Sequence, residues 1–231
     1  MTWGKRGWLW LTSRRTTIGA VSFDSHLPDL TVRHAGVQDS ELLASLMFSA
    51  PSREAVAMAG SARVAERFQA NMFRDALHTG RSIVIVAETT SGLAGLAEVS
   101  HGADTPSFAA VARMAVAAMG FGGAVRAAGR WWARLKVNLS GPEGGVVLVE
   151  LQVAPALRNR GIGGFLLDRV DEHATAQHAR HISLTTATDN PARGLYERNG
   201  YRLMDQKTNP RYERITGSAG RVLMVKHLEI N

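Results

Sequence analysis

The stretch from residue 146 to residue 170 reads as a strand, a short turn rich in arginine and glycine, and a helix. Val146 to Val153 is an apolar, β-branched run, which is typical of a strand, and Pro155 ends it. Apolar side chains then recur at helical spacing, at Phe165, Leu166, Leu167 and Val170. The pattern predicts a helix whose amino terminus follows the strand through one tight turn.

The turn itself favours an anionic ligand. Backbone N–H groups and the positive end of the helix dipole converge there. Gly161, Gly163 and Gly164 allow close approach to the backbone, and Arg158 and Arg160 add charged donors. The spacing fits neither a G-x-G-x-x-G fingerprint nor a P-loop, since no Lys-Ser/Thr pair follows. The turn therefore predicts a phosphate or pyrophosphate site of another kind.

Two blocks of the sequence resemble one known family. Residues 158–163 (R-N-R-G-I-G) resemble the R/Q-x-x-G-x-G/A signature of the GNAT superfamily, the acyl-coenzyme A-dependent N-acyltransferases. Residues 190–201 (N-P-A-R-G-L-Y-E-R-N-G-Y) resemble its second block, N-x-x-A-x-x-L-Y-E-x-x-G-F. Asn190 stands six residues before Tyr196, where the family pattern usually has seven. Either Asp189 takes the usual asparagine place or the loop is one residue shorter.

The resemblance implies a function and a set of site residues. The implied reaction is direct transfer of an acetyl group from acetyl-CoA to a primary amine of a small molecule or protein. Tyr196 would protonate the departing thiolate, and the Val153 N–H would polarise the thioester carbonyl. The implied acetyl-CoA-binding residues are Leu151, Val153, Arg158, Asn159, Arg160, Gly161, Ile162, Gly163, Gly164, Asn190 and Tyr196.

The general base is the weakest of the assigned roles. Glu150 is the one carboxylate on the motif strand, but it lies three residues before Val153 and so faces the opposite side of the sheet. A water relay, or a carboxylate from an earlier element, competes with it for this role. A covalent acyl relay has no obvious carrier, because the chain has no cysteine and no G-x-S-x-G elbow.

Composition and charge narrow the classes of protein to which this chain can belong. The chain has 231 residues and a net charge of +7, part of which a polyanion such as coenzyme A explains. Its eight histidines show no metal spacing, so we expect no metal. No apolar run approaches the roughly 20 residues of a membrane span, so we expect none. We expect a cytoplasmic protein that does not bind nucleic acid, and a homodimer stays open.

The predicted fold is α/β (α+β): a mixed, largely antiparallel central sheet of six to seven strands flanked by helices. Residues 1–28 are read as a poorly ordered extension or a mis-assigned start, and 29–231 as a single domain. We expect a first strand at Leu30 to Arg33, a capped helix carrying Leu42, Leu43, Leu46 and Met47, and one long helix from Ser52 to His78. A hairpin follows over residues 82–99, and Val222 to Leu228 supplies a closing strand.

Residues 103–142 form an unusual insert before the motif strand. The pattern predicts two helices, residues 111–119 and 124–137, separated by Gly120 to Gly123. Arg126, Arg130 and Arg134 would form one basic stripe, with Trp131 and Leu135 on another face. The insert is either an accessory helix pair with solvated arginines, or a lid or anion-binding surface beside the acceptor. The alternative function is a non-catalytic module that senses acyl-CoA or binds nucleic acid through this insert.

Overall fold

The computed structural model describes residues 30–101 and 106–229. The expected extension, residues 1–28, lies outside the described residues. The strands are β1 (Thr31–His34), β2 (Ser82–Thr89), β3 (Gly92–Ser100), β4 (Val146–Val153), β5 (His181–Ala187), β6 (Arg202–Thr208) and β7 (Gly220–His227). The helices are α1 (Ser40–Phe48), α2 (Arg53–Ala59), α3 (Ala62–Thr79), α4 (Phe108–Leu135), α5 (Ile162–Ala176), α6 (Arg193–Arg198) and α7 (Pro210–Thr216).

The seven strands form one sheet in the order β1-β2-β3-β4-β5-β7-β6. The β4–β5 pair is parallel, and the other pairs between described strands are antiparallel. This confirms the predicted mixed, largely antiparallel sheet. The parallel pair sits at the centre, where β4 meets the strand that follows α5.

Each face of the sheet has its own hydrophobic core. One core packs α5, through residues such as Phe165 and Leu166, against the sheet's first face. The other packs α1 and α3, through Leu43 and Phe73, against Val84 on the opposite face. The sheet is therefore covered on both sides, and we call these the α5 face and the α3 face.

Two details of the first helices differ from the sequence prediction. The single helix predicted over Ser52 to His78 is two helices, α2 and α3. Gly60 ends α2 with a φ of 93°, a left-handed conformation that glycine adopts without a Cβ penalty. The Ser61 side chain then accepts a hydrogen bond from the Val64 N–H and caps α3. Of the four apolar residues named on α1, Leu42 is exposed, whereas Leu43 and Leu46 are buried.

The insert is helical and lies on the α3 face. It forms α4, with non-helical torsions at Gly120, so two helical segments meet at a kink where the glycine run predicted a break. Ala133 packs against Tyr212 of α7, and Leu139 packs against Leu223 of β7. The sequence did not predict α7, which completes this side of the domain.

The expectation that no stretch could match a membrane span in length and hydropathy is wrong for α4. By length and composition, this is the one helix in the described part of the chain that could cross a bilayer. Its mean hydropathy reaches 1.6 over 18 residues, of which only 11% are buried in the protein.

Candidate active site

The centre of the sheet contains an opening between β4 and β5. These strands pair only at Val146–Ile182 and Val147–Ser183. On its other edge β4 carries a bulge, since Glu98 pairs with Glu150 but Val99 pairs with Leu148. The extra residue, Val149, bends β4 where its pairing with β5 stops. The bulge thus accounts for the separation of the two strands, which the sequence pattern had suggested only through the family resemblance.

Main-chain groups of β4 face this opening. The Ala154 N–H donates to Ala94 O at 2.8 Å, and Gly95 and Leu96 pair with Val153 and Gln152. Because hydrogen-bonded residues alternate along an antiparallel ladder, Val153 turns its N–H and C=O away from β3. The same alternation turns those of Leu151 outward. The Val153 N–H, predicted to contact the thioester, and the main chain of Leu151, predicted to bind acetyl-CoA, therefore both lie at the edge of the opening.

The arginine- and glycine-rich turn closes one end of the opening. Asn159 and Gly161 have φ values of 62° and 82°, and α5 begins at Ile162. This backbone points the first amides of α5 outward, since helical bonding starts with Phe165 N–H to Gly161 O. A Cβ added at Gly164 would have nothing within 4 Å. The turn thus offers free amide donors with open space in front of them.

The arginines of this turn have different positions. Arg158 Nε donates to Val153 O at 3.3 Å, so its side chain bridges the turn to the end of β4. Arg158 and Arg160 are both exposed. Their guanidinium groups are thus accessible to an anion that lies on the amides of α5.

Helix α6, which carries Tyr196, is held against the start of α5. A Cβ at Gly163 would lie 2.9 Å from Leu195 Cδ2, so a larger residue there would require the Leu195 side chain to shift. Tyr196 is buried, with its ring centroid 5.9 Å from that of Tyr201. Burial raises the pKa of Tyr196, and the charge of Glu150 raises it further. The phenol therefore stays protonated, but it is a weaker acid than a free tyrosine.

Asn190 has a local structural role. Its Nδ2 donates to Thr186 Oγ1 at 2.5 Å, and its Oδ1 accepts from the Ala192 N–H at 2.9 Å. The side chain joins the end of β5 to the start of α6. Both the nitrogen and the oxygen of the Asn190 amide therefore bind groups of the protein. The acetyl-CoA contact of Asn190 stays a prediction.

Glu150 lies beside a second buried carboxylate, Glu98, which the sequence reading did not single out. The two residues are direct partners on the β3–β4 ladder. Burial raises the pKa of Glu98 to about 7. Burial, followed by the repulsion of Glu98, raises the pKa of Glu150 to about 8. The sequence predicted that Glu150 and Val153 face opposite sides of the sheet. The β4 register agrees, because Glu150 faces the α3 side.

A charged network lines the same side of the opening. Glu54 of α2 accepts from Arg134 Nε at 2.8 Å and from Arg221 of β7. Arg221 Nη2 also donates to Thr185 O and Oγ1, at 2.7 and 2.8 Å. Thr185 lies on β5 beyond the last residue paired with β4. Three elements distant in sequence therefore meet at the β5 edge of the opening.

This network overturns the expected basic stripe. Arg134 is bound to Glu54, and Arg130 Nε donates to Met58 O at 2.9 Å. Arg126 is exposed. The three arginines are therefore not one solvated surface, because two of them bind α2.

No metal centre is arranged among residues 30–101 and 106–229: no cluster of three potential His, Asp or Glu ligands occurs there.

Comparisons with known proteins place this site in a family. Residues 118–203, which contain both sequence blocks, match the family model of the acetyltransferase (GNAT) domain. A solved structure described as an acetyltransferase has the same fold, with a TM-score of 0.52 and 21% identity over 86% of this chain and 99% of its own. The sequence match to the GNAT domain is confined to residues 118–203, and the solved structures add a shared fold.

Other acetyltransferase structures share this fold at lower identity. PaiA N-acetyltransferase from Thermoplasma acidophilum, solved in complex with coenzyme A, is 14% identical over 87% of this chain and 99% of its own, with a TM-score of 0.52. IAA acetyltransferase from Bacillus cereus is 12% identical over 87% of this chain and 100% of its own, with a TM-score of 0.51. No curated protein sequence matches this chain significantly.

Proposed function

We propose that this chain is a GNAT-type enzyme that transfers an acetyl group from acetyl-CoA to a primary amine by direct attack, with both substrates bound. The observation that carries the proposal is the opening between β4 and β5, paired at only two positions and edged by the main chain of Leu151 and Val153. One end of it leads to the free amides of α5, and the α3 side carries paired carboxylates.

The α5 end fits the nucleotide part of acetyl-CoA. The first amides of α5, together with Arg158 and Arg160, supply donors for a diphosphate. Gly164 leaves room for it, since its missing Cβ would meet no atom within 4 Å. An extended pantetheine arm would then follow the edge of β4 and add to the sheet as a strand does.

In the transfer step the amine nitrogen bonds to the thioester carbon and the carbon–sulfur bond breaks. The Val153 N–H is aimed at the opening and stabilises the developing charge on the carbonyl oxygen. Tyr196 gives its proton to the departing thiolate. Since burial raises the pKa of Tyr196, this transfer is more uphill than for a free phenol, and we infer that it occurs as the thiolate charge develops.

We assign the acceptor amine to the α3 side, between Glu150 and the Glu54–Arg221 network. Glu150 takes the amine proton, directly or through a water molecule. Its pKa of about 8 suits removal of a proton near neutral pH. Repulsion from Glu98 contributes to this raised pKa of Glu150. Gln152 lies two residues along the same face, and its Nε2 is buried without a partner among the described residues.

The experiment is a steady-state assay of coenzyme A release over a panel of small amines and lysine peptides. The chain has no cysteine, so a thiol reagent reports released coenzyme A without background from the protein. Mass spectrometry of the acceptor should show a gain of one acetyl group. Tight binding of acetyl-CoA without release for any amine would instead support the sensing module.

A further inference from the structure

Helix α4 presents its apolar side chains to solvent. Phe108 is 90% exposed, Phe121 77% and Leu135 64%, and Val125 and Trp132 are exposed as well. Of the twelve exposed large hydrophobic residues among the described ones, seven lie on this helix. Phe121, Val125, Trp132 and Leu135 recur at spacings of four, seven and three, which places them on one side. We call these four residues the α4 apolar face.

The polar side chains of α4 are arranged in the opposite way. Arg130 and Arg134 turn toward the domain, where they bind Met58 O and Glu54. A surface helix of a globular protein normally buries its apolar stripe and solvates its charges. The orientation of α4 is therefore set by these two polar anchors together with buried Ala127 and Ala133, and the α4 apolar face points outward.

Positive charge borders this face. Lys136 Nζ lies 4.4 Å from the centre of the Trp132 ring, and the Arg211 guanidinium lies 5.9 Å from it. Arg126 is exposed on the same helical segment. The sequence has no Asp or Glu from residue 105 to residue 142. The surface is therefore apolar at its centre and cationic at its rim.

We propose that the α4 apolar face binds an anionic lipid membrane surface, with α4 lying along the interface. Aromatic and aliphatic side chains on one side of a helix, bordered by Lys and Arg, are the features of a helix that inserts at the level of the lipid headgroups. Basic residues near such a surface attract anionic lipids, and this attraction weakens with salt. The proposal is independent of the proposed acetyl transfer.

A membrane fits the α4 apolar face better than three other occupants: a second copy of the chain, its own amino-terminal segment, or nucleic acid. A second copy would bring the same cationic rim against itself. The segment before residue 30 carries Lys5, Arg6, Arg14 and Arg15, with no acidic residue before Asp24, so it is repelled too. Nucleic acid would be attracted, but it makes no use of Val125 and Leu135. Crossing the bilayer would separate Arg134 from Glu54, so the helix lies on the membrane.

The experiment is flotation of the full-length chain with phosphatidylcholine vesicles, with and without 30% phosphatidylglycerol. We expect binding to the anionic vesicles that decreases with salt. Phe121→Ser combined with Leu135→Ser should lower the partition coefficient at least about tenfold, because each removes a large apolar group from the interface. The matched control is Leu42→Ser combined with Met204→Ser, two side chains that are 52% and 57% exposed on other elements. This control should bind like the wild type.

A local probe checks that α4 is the segment in contact. Since the chain lacks cysteine, Phe121→Cys and Leu42→Cys can each carry one environment-sensitive fluorophore. Anionic vesicles should shift the emission at position 121 to shorter wavelength and leave position 42 unchanged. Acetyl-CoA affinity measured on the same variants should match the wild type, which shows that they are folded.

Four results would overturn the proposal. These are equal binding to neutral and anionic vesicles, binding that survives the Phe121/Leu135 double substitution, and no emission shift at position 121. The fourth is a dimer in sedimentation that the double substitution abolishes while vesicles are not bound, which would make the face a self-association surface.

Discussion

The two ends of the β4–β5 opening are built in different ways. The nucleotide end comes from one continuous segment, residues 153–164, in which strand, turn and helix follow each other. The acceptor side joins Glu54 of α2, Glu98 of β3, Glu150 of β4 and Arg221 of β7. A ligand held mainly by main-chain amides needs only a local turn, whereas a site made of charged side chains needs several elements to converge. Substitutions at the two ends should therefore affect different kinetic constants.

The largest expected effect is at the nucleotide end. Gly164→Glu places an anion where the diphosphate is expected, and we expect acetyl-CoA affinity to fall on the order of 1000-fold, since charge-assisted hydrogen bonds are each worth roughly 1.5–3 kcal/mol. Gly164 is a better position than Gly161, whose φ of 82° strains any other residue. Calorimetry measures the affinity.

Gly164→Ala is the control, because its Cβ meets no atom within 4 Å. It should bind acetyl-CoA nearly as well as the wild type. Unchanged affinity in Gly164→Glu would mean that the turn does not hold the nucleotide.

The next effect is at the acceptor side. Glu150→Gln removes the proposed base, and we expect kcat to fall about 100-fold with acetyl-CoA affinity preserved. In the wild type a base must lose its proton to act, so kcat/KM should rise with pH up to about 8, where Glu150 ionises. The Gln variant should lose this rise.

Glu143→Gln changes an exposed carboxylate seven residues earlier and should leave both kcat and the pH profile unchanged. Because Glu98 and Glu150 are coupled, the measured pKa belongs to the pair. A pH profile that persists in Glu150→Gln would assign the base to another group.

Tyr196→Phe tests the proposed proton transfer from Tyr196 to the departing thiolate. We expect kcat to fall about tenfold, at the weak end of acid catalysis, because burial makes this phenol a poor acid. Acetyl-CoA affinity should not change. Tyr201→Phe is the control, since the Tyr201 hydroxyl is buried without a partner among the described residues. Equal kcat in the Tyr196→Phe protein, with chemistry rate-limiting, would leave Tyr196 a packing role.

The smallest effect concerns the anchor of α4. Arg134→Gln leaves Glu54 with Arg221 alone, so the acceptor side should lose order and the acceptor KM should rise about three- to tenfold, in the range of a partly exposed ion pair. Arg126→Gln, at an exposed arginine of the same helix, should not change it. If Arg134→Gln and Arg126→Gln have the same acceptor KM, the insert has no role in acceptor binding.

Local patterns in the sequence determined much of the fold and one half of the site. Strand β4, helix α5 and the short helix with Tyr196 follow from hydrophobic spacing, glycine and proline, which act over a few residues. The same short-range pattern located the kink at Gly120. It missed the break at Gly60, because an apolar stripe continues across it while a left-handed glycine and a serine cap interrupt the helix.

The tertiary structure decided the rest. The pairing of Glu98 with Glu150, the bulge at Val149 and the direction in which the arginines of α4 point depend on partners far away in sequence. Helical spacing aligned Arg126, Arg130 and Arg134 but could not tell which side of α4 faces the domain. Met58 O and Glu54 made that choice, because partly buried guanidinium groups need acceptors. Local chemistry thus fixed where a nucleotide could bind, and only long-range contacts fixed the acceptor side and the outward apolar face.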